Sequence, residues 1–153
     1  MVHNKLLFKV AEVQLTYKPK YKPAERPTVL TANQAYKILI SHWSLDRIGF
    51  LEESKMLLLN RRNSVLGIVD ISIGGISGTV IDPKVVFVVA LKAGASGIIL
   101  AHNHPSEQLN PSQEDIKLTK KLKEGGKLLD IEVLDHLIIS RDSFYSFSDN
   151  GMM

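Results

Sequence analysis

An apolar segment of strand length, GIILA at residues 97–101, constrains the fold of this chain most strongly. A segment whose successive side chains are all apolar is typical of a strand buried on both faces, so other elements must cover it on each side. His102, Asn103 and His104 follow it directly. Alternate side chains of an extended chain point to the same face, so the two imidazoles share a face and Asn103 points away.

Capping residues and helix breakers predict three helices in the rest of the chain. Their expected limits are Thr31 to about Trp43, Asp82 to Gly94, and Ser112 to Lys123 with a stop at Gly125-Gly126. The second segment is rich in valine, yet Asp82 as N-cap, Pro83 at the first helical position and Gly94 past the end frame a helix. This frame outweighs the strand propensity of the valines.

Alternating or apolar runs predict the remaining strands. Two runs around the turn Asn60-Arg61-Arg62-Asn63 predict a β-hairpin, and further strands are expected at residues 8–18, 131–140 and 143–149. The resulting order is mixed α/β without an internal repeat. We expect an N-terminal strand and a Pro/Lys-rich connection over residues 1–28, followed by one domain over residues 29–153.

The composition excludes several classes of protein. The chain has 153 residues, no cysteine and 44% hydrophobic residues, which suits one globular domain without disulfides, Cys-type zinc fingers or a catalytic thiol. Any metal site must therefore use His, Asp or Glu. The apolar runs fall well short of the roughly 20 residues that span a bilayer, and the N-terminus does not resemble a signal peptide. We therefore expect a cytoplasmic protein with no membrane contact.

The charge of the chain is only mildly basic, at +3. One segment, residues 18–27, places Lys18, Lys20, Lys22 and Arg26 among three prolines. A solvated linker is the simpler interpretation of this segment, and a basic arm for an acidic partner is the alternative. Nucleic-acid binding is therefore permitted, but it is expected to be weak, because phosphate-binding surfaces need clustered positive charge.

An acidic residue on the third predicted helix points towards the two histidines. Asp115 shares a stripe with Leu118 and Leu122, at i, i+3 and i+7, which is the stripe that should face the sheet. A buried ionised carboxylate is costly without a cation nearby. Two imidazoles and a carboxylate would leave a tetrahedral zinc one open position, as in catalytic zinc sites. The alternative is that Ser112 and Asp115 form a helix capping box and that the histidines are loop residues.

The spacing of His102, His104, Ser112 and Asp115 resembles the JAMM motif of JAB/MPN metalloproteases, which is His-x-His, seven residues, Ser, two residues, Asp. A resemblance to bacterial RadC-like JAB-domain proteins covers nearly the whole chain, in the segments LLLNRRNSVLGI, GGISGTVIDP, IILAHNHPS, LLDIEVLDHLIIS and FYSFSDNG. It implies the JAB/MPN fold, a cytidine-deaminase-like α/β sandwich with a central mixed sheet flanked by helices. It also implies one zinc per chain, held by His102, His104 and Asp115.

The resemblance further implies a catalytic glutamate upstream, where the chain has two neighbours, Glu52 and Glu53. Counting back eight residues from Asn60, as in RadC-like sequences, gives Glu52. Ser54 takes the place of the family's aromatic residue, so Glu53 remains the alternative. With Glu52 as general base, Ser112 is expected to hydrogen-bond the oxyanion of the reaction intermediate.

These roles imply a zinc-dependent hydrolase of the metallopeptidase or isopeptidase type. The sequence specifies neither the peptide or isopeptide substrate nor an oligomeric state. Two alternatives from other classes are a DNA-repair accessory protein and a non-catalytic interaction domain. Full-length RadC proteins carry an N-terminal helix-hairpin-helix region for which this chain has no room, which favours the hydrolase over a DNA-binding role.

Three further positions lie in or next to the segments that carry the resemblance. Glu107 replaces the glycine that commonly follows HNHPS in RadC-like sequences. Asp135 and His136 could be hydrogen-bond partners of the metal ligands, but a hydrogen-bonded core pair is the simpler interpretation, and no role is assigned to them.

Overall fold

The structure is a computed structural model, and it describes residues 9–14 and 18–153. The helices and strands in these residues alternate along the chain. In order they are a 3₁₀ turn at Pro23–Glu25, α1 at Ala32–Ser41, β1 at Glu53–Leu59, β2 at Val65–Ile73, α2 at Pro83–Ala93, β3 at Gly97–Asn103, α3 at Gln113–Leu129, β4 at Glu132–Ile139 and β5 at Phe144–Ser146.

The five strands form one mixed sheet in the order β2-β1-β3-β4-β5. β3 and β4 run parallel, and the other neighbours are antiparallel. β3 is central and every one of its residues is buried, which confirms the strand predicted from the apolar segment. The mixed α/β class expected from the sequence is likewise confirmed.

Alternate side chains of β1 and β3 pack into two cores on opposite faces of the sheet. The face covered by α1 holds Leu57, Leu59, Ile99 and Ala101. The face covered by α2 and α3 holds Met56, Leu58, Ile98 and Leu100. Even-numbered positions of both strands therefore point towards α2 and α3, and this parity decides which polar side chains meet beyond the core.

The capping predictions for the first two helices are confirmed. The Thr31 hydroxyl accepts a hydrogen bond from the Gln34 backbone, and the Asp82 carboxylate accepts one from the Lys84 backbone. Gly94 ends α2 in the left-handed conformation, with φ 67°. α1 ends at Ser41, slightly before Trp43, whose side chain packs into the core outside the helix. The predicted hairpin is β1 and β2.

The predicted end of the third helix was wrong. α3 continues through Gly125 and Gly126 to Leu129, and Asp130 caps it at φ 53°. The two glycines mark close packing and not a helix stop. A Cβ on Gly126 would overlap the carbonyl oxygen of Ile131, and one on Gly125 would press on the ring of Phe87.

Two strand predictions also need correction. Residues 9–14 form no strand and are all exposed, with Val10 84% and Val13 86% accessible. Their alternation of polar and apolar residues has neither a partner strand nor a core to cover it, and residues 8 and 15–17 of this prediction lie outside the described residues. β5 is shorter than predicted because the chain turns after Ser146. No described helix has the length and apolar character needed to cross a membrane.

The close approach at Gly126 gives a test of the fold. Alanine usually stabilises a helix relative to glycine, but here the added Cβ would displace the backbone of Ile131 at the start of β4. We expect Gly126→Ala to lower the free energy of unfolding by about 1–3 kcal/mol. Chemical denaturation measures this, with Gly49→Ala as the control because a Cβ there meets open space. Equal stability of the two variants would contradict the packing described.

Candidate metal centre

The two histidines of the His-x-His segment meet the start of α3 at the carboxyl end of β3. His102 is the penultimate residue of β3 and is 1% exposed, and His104 follows the strand. His102 occupies an even-numbered position, so it points to the α3 face of the sheet. There the first turn of α3 brings in Asp115.

Ligand-type atoms of three side chains lie close together at this point. The Nε2 atoms of His102 and His104 are 3.0 Å apart. The two Asp115 carboxylate oxygens lie 3.3 Å from His102 Nε2 and 3.5 Å from His104 Nε2. A tetrahedral zinc with ligands at about 2.0–2.1 Å has ligand atoms about 3.3 Å apart. The three side chains are therefore spaced as three corners of such a site.

The orientation of His104 is fixed by a backbone carbonyl. His104 Nδ1 lies 2.7 Å from the carbonyl oxygen of Gln108. Because a carbonyl oxygen only accepts hydrogen bonds, Nδ1 carries the proton, and Nε2 of the neutral ring presents its lone pair to the site. The turn that makes this contact has Glu107 at φ 62°, the left-handed region that glycine adopts most readily.

Asp115 is both a capping residue and a member of the site. The Ser112 hydroxyl accepts a hydrogen bond from the Asp115 backbone N–H at 3.1 Å, and Asp115 Oδ2 accepts one from the Ser112 backbone N–H at 2.8 Å. The capping box and the inward carboxylate, which were alternatives in the sequence, therefore occur together. The cap uses a lone pair of the Ser112 oxygen, so the hydroxyl proton stays available for another acceptor.

The charges at the centre favour a bound cation. Burial by itself would raise the pKa of the Asp115 carboxyl, but the adjacent imidazoles of His102 and His104 hold this pKa far below its ordinary value. The adjacent Asp115 carboxylate in turn raises the pKa of His104 against the opposing effect of burial. A raised pKa favours the positively charged form of His104 beside the carboxylate, and a divalent metal ion would supply positive charge in the same place.

The structure separates the two adjacent glutamates. Glu52, His102 and His104 each offer a ligand atom, and these atoms lie within 4.8 Å of one another. Glu53 points to the opposite face, where Arg47 Nε donates a hydrogen bond to its carboxylate at 2.6 Å. The backbone N–H of Glu53 also donates to the Asn103 side chain. Glu52 is thus the glutamate next to the histidines, and burial raises the pKa of its carboxyl.

The group of ligand atoms that lie within 4.8 Å of one another consists of Glu52 and the two histidines and does not include Asp115. Asp115 nevertheless has one oxygen 3.3 Å from His102 Nε2 and the other 3.5 Å from His104 Nε2, and the pKa of its carboxyl is far below the ordinary value, which makes it a further candidate ligand. The half-buried Glu52 has a raised pKa, which suits a group that exchanges protons better than a permanent metal ligand.

An open pocket of about 520 Å³ lies over this cluster. Its lining includes Glu52, His104, Ser112 and Asp115, together with residues 76–79 of the loop after β2. Hydroxyl hydrogen bonds connect Ser54, Ser72 and Thr79 and tie this loop to β1. Ser54, which departs from the family's aromatic residue, therefore helps to hold one wall of the pocket.

Asp135 and His136, which were assigned no role from the sequence, differ in their relation to the site. Asp135 is a core residue as expected, because it accepts hydrogen bonds from Ser146 and from the Ser148 backbone. His136 is fully buried, however, and its Nε2 lies 2.8 Å from His102 Nδ1. The signal was strand alternation, since Leu137 and its alternate neighbours in β4 face α1 and so turn His136 towards α3.

The family of the chain follows from comparison with known sequences. A family model described as the RadC-like JAB domain matches residues 29–152. The chain belongs to this family. The RadC-like resemblance inferred from the sequence is thereby confirmed, and the mixed five-stranded sheet is consistent with a JAB fold.

Several curated relatives of this RadC-like chain carry the name UPF0758 protein. One from Flavobacterium johnsoniae is 50% identical over 101 residues, which is 66% of this chain and 44% of the relative. One from Alkaliphilus metalliredigens is 45% identical over 116 residues, 74% of this chain and 50% of the relative. One from Desulforamulus reducens is 46% identical over 109 residues, which is 71% of this chain and 46% of the relative. The chain spans about half the length of these relatives.

The ligand geometry predicts which carboxylate controls metal binding. Asp115→Asn removes the negative charge between the two imidazoles and should abolish stoichiometric binding of one divalent zinc ion per chain. Metal content and zinc affinity, measured with a chromophoric competitor, check this. Glu114→Gln is the matched control, since it removes the same charge one residue earlier, from a side chain that is 86% exposed. Equal zinc affinity in the two variants would contradict the assignment.

Proposed function

We propose that the protein is a zinc-dependent hydrolase of amide or isopeptide bonds, with zinc held by His102, His104 and Asp115. The observation that carries the proposal is the spacing of these side chains beside an open pocket that Glu52 also lines. The two Nε2 atoms are 3.0 Å apart, and one Asp115 oxygen lies 3.3 Å from His102 Nε2 while the other lies 3.5 Å from His104 Nε2. Three protein ligands leave a fourth position for water or substrate, which is the pattern of catalytic and not of structural zinc sites.

Zinc suits this donor set because imidazole nitrogen and carboxylate oxygen are its common ligands in a protein without cysteine. When bound, it supplies a Lewis acid that polarises a substrate carbonyl and lowers the pKa of a water molecule towards neutrality. The remaining chemistry falls to the side chains around it.

Glu52 is the proposed general base. Its carboxylate is within 4.8 Å of the histidine ligand atoms, and its partial burial raises its pKa, which improves its ability to hold a proton between two steps. It takes a proton from the attacking water and then gives it to the nitrogen of the leaving amine. Glu53 is unsuited to this role because it is on the other face of β1, bound to Arg47.

Ser112 is the proposed oxyanion donor. Its side chain lines the pocket at the N-terminus of α3, and its hydroxyl proton is not used by the capping box. A hydrogen bond from this hydroxyl to the oxygen of the tetrahedral intermediate would stabilise it by about 3 kcal/mol, as comparable donors do. The positive end of the α3 dipole reinforces this effect.

The pocket is open and gives no specificity for one peptide sequence, so the proposal extends only to the class of bond. The DNA-repair alternative gains no specific support, since Lys117, Lys120 and Lys121 are ordinary exposed residues of α3. Lys117 also pairs with Glu114 on its own helix.

Separate Glu→Gln substitutions of Glu52 and Glu53 distinguish a hydrolase from a non-catalytic interaction domain. Glu52→Gln should keep its zinc and its fold but lose roughly 10²–10⁴-fold in the rate of amide hydrolysis, because the amide cannot accept the proton. Glu53→Gln is the matched control, since its amide oxygen can still accept the hydrogen bond from Arg47. Turnover of a library of peptide and isopeptide substrates, with metal content measured in parallel, gives the comparison.

Two results would overturn the assignment. Loss of turnover in Glu53→Gln alone would mean that Glu53 is the general base. Full turnover in Glu52→Gln would mean that the site is not a hydrolase of this type, and the interaction-domain alternative would then take its place.

A further inference from the structure

We propose that Thr119 and His136 are positioning residues that fix the tautomer of His102 and thereby direct its Nε2 lone pair to the metal. This inference rests on the proposed zinc site. Neither residue lines the pocket beside the metal centre. Both act through His102, from behind the ligand.

A series of three hydrogen bonds begins at the backbone of Asp115. The Thr119 hydroxyl lies 2.7 Å from the Asp115 carbonyl oxygen and 2.6 Å from His136 Nδ1. His136 Nε2 lies 2.8 Å from His102 Nδ1. These hydrogen bonds therefore connect the main chain of Asp115, one proposed metal ligand, to the ring of His102, another proposed ligand.

The carbonyl oxygen of Asp115 determines which atom donates and which accepts in each of these hydrogen bonds. Because a carbonyl cannot donate, the single proton of the Thr119 hydroxyl goes to Asp115. The hydroxyl must then accept from His136, so His136 carries its proton on Nδ1. Its unprotonated Nε2 accepts from His102, which places the His102 proton on Nδ1. The lone pair of His102 is left on Nε2, the atom that faces His104 and Asp115.

The surroundings of His136 favour this one arrangement. The ring is 0% exposed, so water does not compete for either nitrogen. It stacks on Phe147 with 4.7 Å between ring centroids and 12° between planes, which restricts rotation of the ring out of line. The opposite tautomer of His136 would leave Nδ1 and the Thr119 oxygen facing each other without a shared proton, which is costly in a buried place.

The two imidazole ligands are thus set in the same way. His104 has its Nδ1 proton fixed directly by the Gln108 carbonyl, and His102 has its own fixed by the Asp115 carbonyl through two intermediates. Partners of this kind behind metal-bound histidines typically contribute a factor of 10 to 100 to metal affinity.

Thr119→Val tests the proposal, because valine keeps the shape of threonine and removes the hydroxyl. His136 should then change tautomer and place a proton on Nε2, which forces the His102 proton onto its own Nε2. Thr119→Ser is the control, since it keeps the hydroxyl and loses a methyl group. A merely structural role for Thr119 would not distinguish these variants in the protonation of a histidine on another element.

The first readout is ¹H–¹⁵N NMR of the histidine rings in metal-free protein at mildly alkaline pH, with His102 assigned by substitution. We expect an Nδ1–H tautomer for His102 in the wild type and in Thr119→Ser, and a substantial Nε2–H population in Thr119→Val. The second readout is zinc affinity by competition, which should fall roughly 10- to 100-fold in Thr119→Val and be retained in Thr119→Ser.

An Nε2–H tautomer of His102 in the wild type would overturn the proposal, as would a Thr119→Val variant with an unchanged tautomer. Should Thr119→Val fold poorly, His136→Gln replaces it, because its side-chain oxygen can still accept from His102 and should preserve the Nδ1–H tautomer. Loss of that tautomer in a folded His136→Gln protein would also contradict the proposed series of hydrogen bonds. Absence of zinc binding in the wild type would refute the proposed function alone, since the NMR readout does not depend on metal.

Discussion

The unbroken antiparallel pairing of β1 with β3 decides which side chains reach the metal centre. The register pairs Leu59 with Gly97 at one end and Ser54 with His102 at the other, without a bulge. Positions of equal parity therefore share a face, and the register continued by two residues sets Glu52 opposite His104. A shift by one residue would bring Glu53 to the metal and expose the apolar side chains that now fill the two cores. The same pairing that buries the core thus selects the proposed general base.

The chemistry of the centre depends on which ring nitrogens of His102 and His104 carry protons. Backbone carbonyls, which only accept hydrogen bonds, fix the protons of both imidazoles on Nδ1 and leave two Nε2 lone pairs 3.0 Å apart beside an ionised carboxylate. Such a concentration of electron pairs is unfavourable without a cation. The adjacent Asp115 carboxylate raises the pKa of His104, which favours positive charge at this ring. A metal ion would supply positive charge in the same place and leave a coordination position open to the pocket.

Periodicity in the sequence predicted much of this arrangement. Strand alternation placed His102 and His104 together, and the helical spacing of Asp115, Leu118 and Leu122 turned the carboxylate inward. The end of α3 was missed because Gly125 and Gly126 are there for close approach to Phe87 and Ile131, a tertiary contact that resembles a helix stop in the sequence. Thr119 was missed for a related reason, and His136 was interpreted as a core residue. The two meet across β4 and α3, 17 residues apart, and nothing in the sequence near Thr119 distinguishes it from a core residue.

The central claim is that the Nε2 atoms of His102 and His104, together with Asp115, define one metal position beside Glu52. Anomalous diffraction at the zinc absorption edge, from crystals of zinc-loaded protein, locates the metal directly. The account predicts one peak about 2.0–2.1 Å from both Nε2 atoms and from an Asp115 oxygen, with Glu52 outside the ligand set. A peak bound through an Nδ1 atom, a peak with Glu52 in place of Asp115, or no peak at this position would contradict it.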